Sequence, residues 1–264
     1  MGVGGAGSGG MREVLEALAD GETSVDQAEA ALAGYATGEA GRFEAAREAR
    51  TGAPEAVLAT GKTPEEAAEL ASLAVETGDR AIVTRTDSET RDAVAHRIAA
   101  DHPGAAVRTD ERARTLVSHA EGYEPPSLDA DVGVVTGGTA DAAAAGEAAV
   151  VLREMGVRVA RVSDVGVAGI GRLFDRLDTL RAQDALVVAA GREGALPTVV
   201  GGLVDCPVIG LPVSSGYGYA GDGEAALAGM LQSCTPIAVV NVDNGFAAAV
   251  QAGQVARALD AERD

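Results

Sequence analysis

The chain has 264 residues, 47% of them hydrophobic, and a formal net charge of -19. This length accommodates one large domain or two small ones with a real core. The 40 acidic against 21 basic side chains argue against a nucleic acid or an anionic membrane as the main partner, because both repel a negative surface. Lys62 is the single lysine, and abundant Asp, Glu, Ala and Gly with Arg as the main cation are typical of a halophile's cytosolic protein.

Two cysteines, Cys206 and Cys234, are too few for a disulfide framework in a chain of this length. No stretch of about 18 apolar residues is free of charges and turn residues, and the N-terminus lacks a signal-peptide pattern. These features predict a cytoplasmic protein.

The first half begins with a Gly-rich segment, residues 1–10, which predicts a disordered tail. Helical patterns follow, and short apolar runs then alternate with helix start signals such as Thr63-Pro64. The alternation predicts an α/β domain over residues 11–120, with leading helices and a parallel or mixed sheet. The predicted helices are 11–19, one from Ser24, 38–51, 63–77 and one over 89–100 capped by Ser88, and the predicted strands are 56–59, 81–85, 105–108 and 115–118.

Residues 121–130 contain two prolines and no periodicity, which predicts a linker. Five apolar strands then alternate with helices through residues 131–264, so this half is predicted to form a doubly wound parallel sheet. The predicted strands are 132–135, 157–162, 185–190, 207–211 and 237–241, and the helices are 141–155, 169–182, 197–204, 223–232 and 244–258.

Gly- and Ser-rich loops follow all five strands, and the carboxyl edge of such a sheet is where ligands bind. The first loop, Thr136 to Thr139, joins a strand to a helix as phosphate cradles do, although a glycine turn alone is as often purely geometric. Asp141 stands where it can cap that helix. The candidate ligand-binding residues are Thr136, Gly137, Gly138, Thr139, Asp141, Ser163, Asp164, Gly166, Arg192, Gly194, Ser214, Ser215, Gly216, Tyr217, Gly218, Asn241, Asp243 and Asn244.

Glu193 and Cys234 are the candidates for chemistry. Glu193 follows a buried strand, where a carboxylate either caps the next helix or serves as an acid/base group. Cys234 lies between a helix and a strand; it is either a small buried hydrophobe or, if it lies among the amides of the rim, a nucleophile. Cys206 fits the buried interpretation better, since it leads directly into a strand.

The three histidines, His96, His102 and His119, all lie in the first half, away from the predicted rim. A Ser/His/Asp or Cys/His constellation is therefore not evident, and no zinc-ligand spacing occurs.

Four segments of the second half resemble the LarB family, whose C-terminal domain has the PurE-like fold. They are VVTGGTAD (134–141), SDVGVAG (163–169), GREGALPTVVGGLVDCPVIGLPVSSGYG (191–218) and MLQSCTPIAVVNVDNGFAAA (230–249). The stretch RTGAPEAVLATGKTPEE (50–66) is also similar to that family. The resemblance thus extends over nearly the whole chain.

The resemblance implies carboxylation of nicotinic acid adenine dinucleotide at ring carbon 5 and hydrolysis of its phosphoanhydride, with release of AMP. Cys234 would then add to ring carbon 4, and Glu193 would transfer the proton. Carbon dioxide or bicarbonate would be a co-substrate, Mg²⁺ would bind through the substrate's phosphates without a protein site of its own, and the protein would be a homo-oligomer, an octamer by family analogy.

Two residues depart from the family pattern, Ala140 in place of Ser and Arg192 in place of Met, which puts the exact phosphate contacts in doubt. Two alternatives stay open. A PurE-type aminoimidazole ribonucleotide carboxylase or mutase is disfavoured because the loop 163–169 lacks that enzyme's histidine. A non-catalytic nucleotide-binding module is the other.

Overall fold

The computed structural model describes residues 8–216 and 218–263. The chain forms two compact units, and the division falls between Glu124 and Pro125. Within the described residues, no helix combines the length and the apolar character needed to cross a membrane.

The N-terminal unit begins with two helices, α1 (Ser8–Ala19) and α2 (Val25–Ala33). Since α1 starts at Ser8, residues 8–10 of the predicted disordered tail are helical. The rest of that tail, residues 1–7, lies outside the described part of the chain. The predicted capping box at the start of α2 is present: the amide of Gln27 donates to Ser24 Oγ at 3.1 Å, and the amide of Ser24 donates to Gln27 Oε1 at 3.0 Å.

The predicted helix over 38–51 is wrong for most of its length. Residues 36–43 form an antiparallel hairpin of β1 (Ala36–Gly38) and β2 (Gly41–Phe43), and only α3 (Arg47–Thr51) is helical. One local and one tertiary cause override the helical pattern. Gly41 has φ +144°, a conformation that glycine adopts without cost, and the amide of Ala40 donates to Glu69 Oε1 at 3.0 Å.

The remaining elements of this unit are β3 (Val57–Leu58), α4 (Pro64–Gly78), β4 (Arg80–Thr84), α5 (Ser88–Asp101), β5 (Ala106–Asp110) and β6 (Thr115–His119). They form a mixed sheet in the order β3-β4-β6-β5, in which only β3 and β4 are parallel. Thr63 caps α4 as predicted, whereas α5 is capped by Asp87 and not by Ser88.

The C-terminal unit contains five strands: β7 (Asp131–Thr136), β8 (Arg158–Val162), β9 (Ala185–Ala190), β10 (Val208–Pro212) and β11 (Ala238–Val239). All pair in parallel in the order β11-β10-β9-β7-β8, so the predicted doubly wound sheet is confirmed. The order reverses between β7 and β9, and in sheets of this kind a crevice opens at that point.

The helices of this unit are α6 (Ala142–Glu154), α7 (Gly171–Phe174), α8 (Leu177–Arg181), α9 (Ala195–Gly201), α10 (Glu224–Leu231) and α11 (Gly245–Arg263). The single helix predicted over 169–182 is in fact two short ones, α7 and α8. The three central strands β7, β9 and β10 are almost fully buried, whereas the edge strands β8 and β11 are partly exposed. Because the core is built from Ala, Val and Leu, the helices pack closely onto the sheet and hold its carboxyl edge in place.

Candidate functional site

A cavity of about 490 Å³ lies at the carboxyl ends of β7 and β9, where the strand order reverses. Four loops of the C-terminal unit enclose it, each following a different strand. The lining residues are Gly137, Gly138, Ala140, Asp141, Gly166, Val167, Ala168, Arg172, Ala190, Gly191, Arg192, Glu193, Ala195, Leu196, Ser215 and Gly216. Eight predicted ligand-binding or catalytic residues are therefore brought together here: Gly137, Gly138, Asp141, Gly166, Arg192, Glu193, Ser215 and Gly216.

Backbone contacts between loops shape the floor of the cavity. The amide of Gly137 donates to the carbonyl of Ala189 at 3.1 Å, and the amide of Gly166 donates to the carbonyl of Gly137 at 2.9 Å. A Cβ atom added to Gly166 would lie only 2.6 Å from the Gly137 oxygen. Glycine is therefore required at 166 for the close approach of the first two loops.

We expect Gly166→Ala to lower stability by about 1–3 kcal/mol, as overpacking against backbone does, and to weaken nucleotide binding because the first loop must move. Thermal melting and calorimetric titration with a nucleotide measure the two effects. Gly171→Ala is the matched control, since a Cβ there meets no atom within 4 Å. Equal behaviour of the two variants would contradict the proposed loop contact.

Asp141 is the buried carboxylate of the site, with 5% of its surface exposed. Its Oδ2 accepts a hydrogen bond from the amide of Gly138 at 2.7 Å, and its Oδ1 accepts one from Ser215 Oγ at 3.4 Å. Burial raises the pKa of Asp141 above its ordinary value, although these hydrogen bonds oppose the shift. The predicted helix cap is wrong in detail: the side chain makes no capping bond to α6 and turns back to the glycine loop, where it joins the first loop to the fourth.

The raised pKa of Asp141 predicts a pH-dependent stability. The unfolded chain ionises this group near 3.8, but the folded protein holds the proton to higher pH, so the ionised form costs stability once the pH rises above 3.8. Asp141→Asn keeps an acceptor for Gly138 and carries no charge. We therefore expect the melting temperature of the variant, relative to the unmodified protein, to rise between about pH 4 and about pH 7. A difference that stays constant or falls over this range would contradict the assignment.

Two guanidinium groups line the cavity, those of Arg172 and Arg192. Arg172 forms an ion pair with Asp164 at 2.6 Å, and Arg192 holds a left-handed backbone conformation with φ 53°. Sequence reasoning missed Arg172 because it lay inside the predicted helix 169–182, where an arginine reads as part of a solvated face. It instead lies at the second position of the short helix α7, which begins close behind the loop that follows β8, and from there it lines the cavity.

Glu193 also lines the cavity and is exposed to it. It immediately precedes Gly194, which has φ +67° and begins α9, and a Cβ atom there would overlap the carbonyl oxygen of Ala226. Glu193 makes no capping bond to α9, so the helix-cap alternative is not what the structure contains. The strained turn instead leaves the carboxylate at the mouth of the cavity.

The other predicted residues lie at the same edge without lining the cavity. Thr136 Oγ1 accepts from the amide of Asp164 at 3.2 Å, and Asp243 Oδ1 accepts from the amide of Ser214 at 2.9 Å. These two hydrogen bonds connect neighbouring loops at the carboxyl edge. Thr139, Ser163, Gly194, Gly218, Asn241 and Asn244 are likewise outside the lining, and Tyr217 lies outside the described residues.

Cys234 is not on the rim, contrary to the placement that the sequence suggested. It is exposed in the segment between the end of α10 and the start of β11, at the amino edge of the sheet. The neighbouring Thr235 packs at the far end of α9, where a Cβ on Gly201 would lie 2.8 Å from its Cγ2. Glu193 precedes the near end of that helix. The two residues therefore lie near opposite ends of α9, a helix of seven residues that spans about 10 Å.

Cys206 and the histidines take no part in the cavity. Cys206 is half-buried before β10, and burial raises the pKa of its thiol, in keeping with the structural role expected for it. The three histidines belong to the N-terminal unit. In the part of the chain that the structure describes, no group of three His, Cys, Asp or Glu side chains could hold a metal ion.

Comparison with known proteins gives consistent matches for both units. Residues 131–263 match a family profile described as AIR carboxylase, and residues 35–120 match one described as LarB/PurE-like N-terminal domain. An uncharacterized protein of Methanocaldococcus jannaschii is 36% identical over 257 residues, covering 94% of this chain and 98% of that protein. Among solved structures, a PurE2 variant of Treponema denticola is 20% identical, and the match covers 53% of this chain and 96% of that one with a TM-score of 0.36. A PurE of Treponema denticola is 18% identical, and the match covers 51% of this chain and 95% of that one with a TM-score of 0.36.

Proposed function

The chain belongs to the LarB family, with a PurE-like C-terminal domain, and we propose that it carboxylates the pyridinium ring of nicotinic acid adenine dinucleotide at carbon 5 and hydrolyses the phosphoanhydride. The domains support a carboxylase-type enzyme. The observation that carries the finer proposal is the cavity, because one small space combines glycine-lined walls, two guanidiniums and two carboxylates. A nucleotide with an anionic phosphate and a cationic ring needs both kinds of group.

We assign the substrate's mononucleotide phosphate to the side of the cavity lined by Gly137 and Gly138, where the absence of side chains allows close approach. The amides of these two glycines already donate to Ala189 and Asp141, so the donors for the phosphate come from side chains. Arg172 and Arg192 add positive charge, and guanidiniums bind phosphate oxygens in pairs. The pyridinium ring then lies toward Glu193, whose side chain lines the cavity and can receive the proton of ring carbon 5.

The chemistry requires a nucleophile, because a pyridinium ring is too electron-poor to attack carbon dioxide. Addition of the Cys234 thiolate to carbon 4 turns the ring into a dihydropyridine with a nucleophilic carbon 5. That carbon forms the new C–C bond to carbon dioxide, its proton passes to Glu193, and expulsion of the thiolate restores the aromatic ring. Water cleaves the phosphoanhydride, so the products are pyridinium-3,5-biscarboxylic acid mononucleotide, AMP and protons.

Cys234 does not line the cavity of its own C-terminal unit. We infer that the reacting thiol comes from another copy of the chain. A homo-oligomer, an octamer by family analogy, would supply it, with the amino edge of one C-terminal unit against the carboxyl edge of another.

Mg²⁺ would bind mainly through the phosphates of the substrate, because the described residues contain no three-ligand cluster for it. Asp141 and Glu193 line the same cavity and are the carboxylates present to complete its coordination. The ion would neutralise the charge of the phosphoanhydride during hydrolysis.

The test is to incubate the protein with nicotinic acid adenine dinucleotide, bicarbonate and Mg²⁺ at a range of salt concentrations. Mass spectrometry is expected to detect AMP and the dicarboxylated mononucleotide in equal amounts. Absence of both products at every salt concentration would overturn the proposal. A parallel reaction with aminoimidazole ribonucleotide tests the PurE-type activity, and nucleotide binding without turnover would identify a non-catalytic binding module.

A further inference from the structure

Basic side chains gather at one edge of the N-terminal sheet, and nothing in the proposed function uses them. The carboxyl ends of β3 and β4 meet the amino end of β6 there, because β6 runs antiparallel to β4. Five of the chain's 21 basic residues belong to this edge: Lys62, Arg85, Arg91, Arg112 and Arg114. Five basic side chains at one edge are unexpected in a chain with a net charge of -19 and indicate a site for an anion.

Two of these guanidiniums converge on one atom. Arg91 Nη1 donates to the carbonyl oxygen of Thr86 at 3.3 Å, and Arg114 Nε donates to the same oxygen at 3.1 Å. Arg91 Nη1 also donates to Thr86 Oγ1 at 3.2 Å, and Arg114 Nη2 donates to the carbonyl of Arg85 at 3.2 Å. Two like charges held this close repel each other, and an anion placed between them would remove that cost.

Two arginines at this edge have a left-handed backbone conformation, as two residues at the carboxyl edge of the C-terminal sheet also do. Arg85 has φ 59° and Arg114 has φ 55°, a left-handed conformation that glycine or asparagine would adopt at lower cost. At the carboxyl edge of the C-terminal sheet, Asp164 and Arg192 show the same conformation. Such strain persists where a side chain must be held in one place, and it accompanies ligand sites.

The nearby carboxylates accept hydrogen bonds from backbone amides. The pKa of Asp87 is lowered chiefly by its hydrogen bonds from Thr90 and to a smaller degree by the charge of Arg114, so this carboxylate offsets part of the positive charge. Asp87 Oδ1 accepts from the amide of Thr90 at 2.8 Å, and Asp110 Oδ1 accepts from the amide of Ala113 at 2.9 Å. Beside them, Thr84 is fully buried, and its Oγ1 has no hydrogen-bond partner among the described residues. The end of β4 therefore also offers an unused hydroxyl.

We propose that this edge of the N-terminal unit, centred on Arg91 and Arg114, is a second ligand site that binds a phosphate-bearing small molecule. The planar guanidinium forks suit the oxygens of a phosphate group better than a single carboxylate, because they present several donors in fixed directions. The source of the phosphate is either free pyrophosphate or a nucleotide such as AMP. The site goes beyond the proposed carboxylase activity and does not depend on it.

Residue-resolved footprinting of the full chain with phenylglyoxal, which modifies exposed arginines, tests the proposal. Peptide mass spectrometry gives the modification rate of each arginine with and without pyrophosphate, and separately with AMP. We expect saturable protection of Arg91 and Arg114 and none of Arg108, an exposed arginine in the middle of β5. Protection by AMP at lower concentration than by pyrophosphate identifies a nucleotide site; the reverse order identifies a pyrophosphate site.

Two variants separate binding from folding. Arg91→Gln removes one guanidinium and should raise the pyrophosphate concentration for half-protection of Arg114 about tenfold, whereas Arg108→Gln, with the same loss of charge, should leave it unchanged. Arg114→Lys keeps the charge without the fork and should give an intermediate shift if the variant melts like the unmodified protein. Equal protection of all exposed arginines, or no protection of Arg91 and Arg114 by either ligand, would overturn the proposal.

Discussion

Cys234→Ala is expected to abolish carboxylation while leaving nucleotide binding unchanged. Without the thiolate the pyridinium ring stays electron-poor, and no other side chain of the cavity is a comparable nucleophile. The cavity itself lies at the opposite edge of the sheet, so its shape and its affinity should survive the substitution. Product formation by mass spectrometry and nucleotide binding by calorimetry measure the two properties, and Cys206→Ala, the matched thiol deletion outside the cavity, should stay active.

Because Cys234 and Glu193 are separated within one chain, a second experiment tests whether two copies of the chain share one site. Cys234→Ala and Glu193→Ala chains are each expected to be inactive alone. When they are co-expressed with different tags and assemble at random, about a quarter of the sites receive both intact residues, and activity returns in the mixed oligomers. No recovery in oligomers shown to contain both chains would contradict the shared site, and activity of Cys234→Ala alone would contradict the thiolate mechanism.

The carboxyl-edge loops could be predicted because strands and helices alternate regularly after residue 131, and parallel strands all end at one edge. Connectivity also decides the position of Cys234, since a loop that precedes a parallel strand lies at the amino edge. The sequence interpretation left it either buried or on the rim, and the family resemblance gave it the role of the nucleophile. The residue type of Cys234 indicated a nucleophile, whereas only the direction of the following strand indicated that it lies at the amino edge of the sheet.

Other features depended on contacts that no local pattern contains. Arg172 lines the cavity from the short helix α7, and it forms an ion pair with Asp164 in the loop before that helix. The hairpin over residues 36–43 forms where the pattern favours a helix, since Glu69, far along the chain, accepts a hydrogen bond from the amide of Ala40. In the hairpin this tertiary hydrogen bond outweighs weak helix propensity.

Glu193→Gln is expected to lower kcat by about 10²–10⁴-fold, the usual range for loss of a proton-transferring group, with little change in KM. The amide has nearly the same shape as the carboxylate but cannot accept the proton of carbon 5. Steps before proton removal should continue, so the covalent adduct between Cys234 and the nucleotide should accumulate. Rapid denaturation followed by intact-protein mass spectrometry detects it as an added nucleotide mass.

The control for Glu193→Gln is Glu224→Gln, which removes one exposed carboxylate at the start of α10, outside the cavity lining. It should leave kcat and the adduct level unchanged. If Glu193→Gln instead raises KM and leaves kcat intact, Glu193 binds the substrate and does not move the proton. If kcat falls and no adduct accumulates, the carboxylate acts before or during thiolate addition. Proton removal from carbon 5 then needs another base, for which the buried Asp141 is the other carboxylate in the cavity lining.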